Sequence, residues 1–151
     1  MRTLIIEDDA NKMNALVSFL HSYPLIEIST ETSFHSGVHS LLEQYFDLVL
    51  LDMSMPMYDI TAQDTGGRPV PLAGRDILFT MRRKKIQTTV IVVTQYESFE
   101  GTSLGQLDND LRDAFPDLYY GSVYYNTTKD IWKTQLRNIL EEKFCLGGDV
   151  V

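Results

Sequence analysis

Two short apolar runs that end abruptly in carboxylates constrain this chain more than any other feature. The first is Ile5-Ile6-Glu7-Asp8-Asp9, the second Leu48-Val49-Leu50-Leu51-Asp52-Met53-Ser54-Met55-Pro56. Runs of β-branched residues and Leu without alternation fit strands covered on both faces, as in a parallel sheet. In such sheets function collects where the carboxyl ends of the strands emerge. Glu7, Asp8 and Asp52 would then share one rim. Carboxylates crowded there repel one another unless a cation joins them or a proton stays bound. A hard divalent ion with oxygen ligands, most naturally Mg²⁺, resolves that repulsion. The first expectation is therefore a site for metal-assisted phosphate chemistry.

The rest of the chain alternates strand and helix signals. Thr3 to Glu7 reads as a strand, and Met13, Leu16, Val17 and Leu20 recur at helical spacing up to Pro24. A short strand follows around Leu25 to Ser29, then an amphipathic helix carrying Val38, Leu41, Leu42 and Tyr45, then the strand ending at Asp52. Ile77, Leu78 and Met81 mark the next helix, and Thr89 to Thr94 the next strand. Leu104, Leu107 and Leu111 suggest a helix, Gly121 to Tyr125 a strand, and Trp132, Leu136, Ile139 and Leu140 a closing helix. This alternation predicts a doubly wound α/β domain: a five-stranded parallel sheet with helices on both faces. At 151 residues, 1–151 reads as a single domain. Two stretches exceed the minimal unit, Met57 to Ala73 with Gly66-Gly67 and Pro69-x-Pro71, and Tyr96 to Gly105. Both leave strand carboxyl ends, so both should lie over or beside the carboxylates, and loops of this length are commonly functional.

A net charge of −8 argues against a nucleic-acid backbone as partner, which needs a basic face. Cys145 is the single cysteine, which excludes an internal disulfide and fits a reducing, cytoplasmic setting. No apolar stretch approaches membrane-spanning length, so no membrane partner is expected.

The acidic pair Glu7-Asp8 after a buried strand, and Asp52 in the form D-x-x-M-P with Met55 and Pro56, make the chain resemble the receiver domain of two-component response regulators, a CheY-like, flavodoxin-like fold. The resemblance implies that Asp52 is the phosphoacceptor and that Glu7, Asp8, Asp52 and the backbone carbonyl of Ser54 hold Mg²⁺. It implies that Thr94 is the switch hydroxyl and Tyr125 the aromatic that moves with it. Such domains place a lysine followed by proline three residues past that aromatic. Here that position is Thr128, with Lys129 one place late and no proline. Lys129 is the candidate for the phosphoryl-binding cation, although Thr127-x-x-Asp130 resembles a helix cap that would turn it away. Gln95 and the two long stretches are further departures, and they touch the switch more than the phosphorylation.

Other features have plainer readings. Asp9 is the extra carboxylate and fits a cap for the first helix. His35 and His39 share a helix face but lack a third ligand, and Trp132 sits at core spacing. Gly66-Gly67 lacks the spacing of a phosphate-cradling loop and reads as a turn. Arg82-Arg83-Lys84-Lys85 suits a helix C-terminus.

By that resemblance the chain is a stand-alone receiver rather than an enzyme. It would take its phosphoryl group from a sensor histidine kinase or phosphotransfer protein. Its output would run through protein contacts with a downstream partner, or it would act as a phosphate sink; a homodimer is left open. The alternative is a pseudo-receiver that binds partners without phosphorylation. A Mg²⁺-dependent phosphohydrolase ranks below both, because Ser54 stands where such enzymes commonly keep a second aspartate.

Overall fold

Alternate residues of each central strand face opposite sides of the sheet, and the sequence fills both sides with apolar groups. A computed structural model describes residues 1–61, 70–99 and 101–146. Strand β1 (Arg2–Ile6), helix α1 (Ala10–Leu20), β2 (Glu27–Glu31), α2 (Phe34–Glu43), β3 (Leu48–Leu51) and α3 (Ala73–Arg83) form the first part. Then come β4 (Thr89–Thr94), a short pair β5 (Ser98–Phe99) and β6 (Thr102–Ser103), α4 (Leu104–Ala114), β7 (Tyr119–Tyr124) and α5 (Ile131–Phe144). The main sheet has five strands in the order β2-β1-β3-β4-β7, every pair parallel. This is the doubly wound, flavodoxin-like architecture.

Two cores follow from the alternation. Leu4, Ile6, Val49, Leu51 and Val92 join side chains of α2, α3 and α4. Ile5, Leu50, Ile91, Val93 and Val123 join Phe19 and Leu20 of α1 and Trp132 and Leu136 of α5. The strand order puts the ends of β1 and β3 side by side, with Ile6 paired to Leu51 and Leu51 paired to Val92. The residues that follow β1 and β3, and Thr94 ending β4, therefore emerge at one edge.

The starts of α1 and α2 obey local capping chemistry. Asp9 Oδ1 accepts the N–H groups of Asn11 and Lys12 at 2.9 and 3.1 Å, so Asp9 caps α1. Ser33 and Ser36 form a reciprocal capping box on α2. The chain leaving β3 is tied across that helix start, since Phe34 N–H donates to Pro56 O and His35 N–H to Met57 O.

Four expectations are adjusted. The last strand runs from Tyr119 to Tyr124, and Tyr125 lies one residue beyond it, its N–H donating to Thr94 O at 2.7 Å. The stretch after β4 is not irregular throughout: it holds the β5–β6 hairpin, which turns through Gly101 at φ +87°. The stretch after β3 returns to its own start by an antiparallel bridge between Met55 and Val70. Gly66-Gly67 and Pro69 lie outside the described residues. Finally, α5 begins at Ile131 rather than after Thr127. The reason is Asn126, whose Oδ1 accepts both the N–H and the hydroxyl of Thr128 at 2.8 Å and makes a turn there in place of a cap.

Candidate phosphoacceptor and metal site

Each strand end delivers one part of the site. Glu7 follows β1 directly; its N–H continues the sheet ladder to Glu31 O, and its Oε2 accepts the Asp9 N–H at 3.0 Å. Asp52 follows β3; its N–H donates to Ile6 O at 3.1 Å, and its Oδ1 accepts the Met53 N–H at 2.8 Å. Asp8 faces solvent between them. One oxygen from each of Glu7, Asp8 and Asp52 lies within 4.8 Å of the others. Three hard, anionic oxygen donors at this spacing fit a divalent cation such as Mg²⁺.

The electrostatics record the crowding. Glu7 is 1% exposed and Asp52 5%. Burial first and the Asp52 charge second push the Glu7 carboxyl up to about 8, against the pull of Lys12. Burial raises Asp52 as well, with Lys12 the chief opposing influence. Burial and Asp52 raise Asp8. One lysine cannot neutralise two buried carboxylates and a third beside them, so the cluster calls for another cation or a proton.

Lys12 is the member that sequence reasoning missed. Its Nζ lies 2.6 Å from Glu7 Oε1 and 3.4 Å from Asp52 Oδ1, and it donates to Val93 O at 2.6 Å. The side chain is 1% exposed, and its Nζ sits 6.0 Å from the Tyr125 ring centre. The expected inward stripe of Met13, Leu16, Val17 and Leu20 does face the core, and Lys12, one turn before Leu16, extends it to the carboxylates. A lysine four residues before a core leucine was the available signal.

Thr94 is fully buried at the end of β4, and its hydroxyl oxygen accepts the Tyr96 N–H at 3.1 Å. Among the described residues that hydroxyl makes no other hydrogen bond. Tyr125 is buried, its ring 5.1 Å from that of Trp132. Ser54 lies in the turn after Asp52 and lines a cleft with Pro71, Tyr96, Ser98 and Phe99, so both long stretches meet beside Asp52. Lys129 is exposed and pairs with none of Glu7, Asp8 and Asp52, so the structure does not gather it with the rest. Gly74 is a second residue that pattern reading passed over. A Cβ there would fall 2.5 Å from Asp52 O and 2.6 Å from Met53 Cε, while Gly74 N–H donates to Met53 O at 2.9 Å.

Comparison with known proteins bears on the fold and the family. No protein-family model matches the chain. Protein y4jR of Sinorhizobium fredii is 31% identical over 145 residues, covering 91% of this chain and 95% of that protein. The Detocs response regulatory protein DtcB of Enterobacter cloacae is 30% identical over 143 residues, covering 90% and 95%. Among solved structures, the response regulator domain of Thermotoga maritima CheB shares the fold at a TM-score of 0.67 and 17% identity, over 97% of this chain and 98% of that one. The chain belongs to the response-regulator receiver family. Its similarity to the Detocs regulator puts it among relatives named for a response-regulatory role, and members of this family are signalling proteins. No helix among the described residues is long and apolar enough to cross a membrane.

Proposed function

We propose that residues 1–151 act as one receiver unit that takes a phosphoryl group on Asp52 in a Mg²⁺-dependent reaction. The donor is the phosphohistidine of a sensor histidine kinase or phosphotransfer protein in the cytoplasm. One observation carries the reading: a nearly buried aspartate stands at a strand end within metal-ligand distance of two further carboxylates.

An Asp52 carboxylate oxygen attacks phosphorus while the P–N bond to the donor imidazole breaks. The bonding pair leaves on the ring nitrogen, which takes a proton, and Asp52 becomes an acyl phosphate. Burial strips water from the nucleophile, and the Met53 N–H fixes its Oδ1. Glu7, Asp8, Asp52 and the Ser54 carbonyl are the residues that would hold Mg²⁺. Bound there, the ion supplies neutralisation of charge on the transferring phosphoryl oxygens. The Thr94 hydroxyl donates to the phosphoryl group, and Tyr96, bonded to Thr94 and leading into the β5–β6 hairpin, passes the change to the surface, where a downstream protein reads it.

The test is transfer from acetyl phosphate, followed by borohydride trapping of the acyl phosphate and peptide mapping. Modification at Asp52 that is lost in EDTA is the expected result. Modification at another residue, or none with Mg²⁺ present, would overturn the proposal.

A further inference from the structure

An acyl phosphate on Asp52 puts between about −1.5 and −2 of charge where the carboxylate carried −1, and moves it outward beside Glu7 and Asp8. Metal ligation answers part of this. A phosphoryl group also needs a fixed cation on its protein side, because an exposed, mobile charge loses most of its effect to water. Lys12 is the one lysine or arginine ion-paired with this cluster among the described residues. Lys129, which sequence reading put forward, is exposed and pairs with none of the three carboxylates.

The placement of Lys12 goes beyond filling a charge gap. Its ammonium has three oxygen neighbours: it donates to Val93 O at 2.6 Å and lies in ion-pair range of Glu7 Oε1 at 2.6 Å and Asp52 Oδ1 at 3.4 Å. Val93 immediately precedes Thr94, so the end of β4 anchors the ammonium and supplies the hydroxyl together. The contact to Asp52 is the longest of the three, and so the one most readily given up for a phosphoryl oxygen. Asp8 has no ion pair with Lys12, which leaves the solvent side of the cluster open to a metal. We infer that Lys12, delivered by α1, is the phosphoryl-binding cation of this site. The position three residues past Tyr125, held by Thr128, is free of that duty. The inference rests on Asp52 being the phosphoacceptor.

The test measures loading of the full chain by acetyl phosphate and Mg²⁺, and the melting shift caused by beryllofluoride, a tetrahedral mimic of the phosphoryl group. Wild type is compared with Lys12→Met, Lys12→Arg and Lys129→Ala, and Mg²⁺ binding alone is titrated in each. Lys12→Met is expected to slow loading about a hundredfold and abolish the beryllofluoride shift. Its Mg²⁺ binding should persist, which a merely structural role would not predict. Lys12→Arg keeps the buried charge and serves if the Met variant does not fold. Its planar fork cannot place one nitrogen among Val93 O, Glu7 and Asp52, so loading should fall about tenfold with Mg²⁺ binding intact. Lys129→Ala should match wild type. Wild-type loading in Lys12→Met or Lys12→Arg, or loss in Lys129→Ala, would overturn the inference and leave the Asp52 reading standing. Failure of wild type to respond to either reagent would overturn both.

Discussion

Lys12 Nζ stands 3.4 Å from Asp52 Oδ1, although one residue lies in the first turn of α1 and the other just after β3. The contact is buried, and it ties the helix to the acceptor. It also explains how a chain without the lysine usual after the last strand keeps a cation beside Asp52. The cluster still holds more negative than positive charge, and that imbalance governs the first prediction.

In metal-free protein the Glu7 carboxyl is raised from 4.5 to about 8. The folded state therefore binds more protons than the unfolded chain across that interval, and stability falls as pH rises through it. Mg²⁺ should flatten the slope. At ten times its dissociation constant it should add about 1.4 kcal/mol of stability by mass action. Thermal melts in EDTA and in Mg²⁺ from pH 5 to pH 8 check this. A metal-free protein whose stability climbs with pH over that range would contradict it.

Gly74 should tolerate no side chain. A Cβ would meet the Asp52 carbonyl oxygen at 2.5 Å, so α3 or the acceptor backbone must move. Gly74→Ala should cost about 1–3 kcal/mol, as overpacking does, and slow phosphorylation markedly. Gly37→Ala is the comparison. Its closest contact is the flexible Ile6 Cδ1 at 2.8 Å, so it should affect stability while leaving phosphorylation near wild type. Denaturant melts and loading rates for the pair separate the two effects.

Thr94 joins the acceptor region to the β5–β6 hairpin through the Tyr96 N–H. Thr94→Val keeps the shape and removes the bond from Tyr96 N–H together with the hydroxyl proposed to meet the phosphoryl group. It should still accept phosphate at Asp52, but the phosphorylation-dependent change in amide exchange at residues 96–99 should disappear. Equal changes in wild type and variant would sever the proposed route to the surface.

Trp132 is the single tryptophan, its ring 5.1 Å from Tyr125, which in turn lies 6.0 Å from Lys12 Nζ. Loading with Mg²⁺ and beryllofluoride draws Lys12 toward the anion and should change Trp132 emission. Asp52→Ala should show no such change.

Much of the architecture was legible because buried parallel strands announce themselves. Unalternating runs such as Leu48 to Leu51 can be little else, and their carboxylate ends mark the rim where Glu7, Asp8 and Asp52 come together. Lys12 was not legible, because a lysine at a stripe position in a helix's first turn ordinarily extends into solvent, and only the buried Glu7 and Asp52 hold it inside. The start of α5 was misjudged for a similar reason: Asn126 and Thr127 compete to organise the same turn, and side-chain geometry decides between them. The β5–β6 hairpin escaped notice because two-residue strands carry too little pattern. Gly74 is legible only once α3 is seen against the backbone of Asp52.

The most direct measurement is the intact mass of the protein after incubation with acetyl phosphate and Mg²⁺, beside Asp52→Ala and an EDTA control. A gain of one phosphoryl group in wild type, absent from both controls, is the predicted result. A wild-type mass that stays unchanged, or the same gain in Asp52→Ala, would contradict the account.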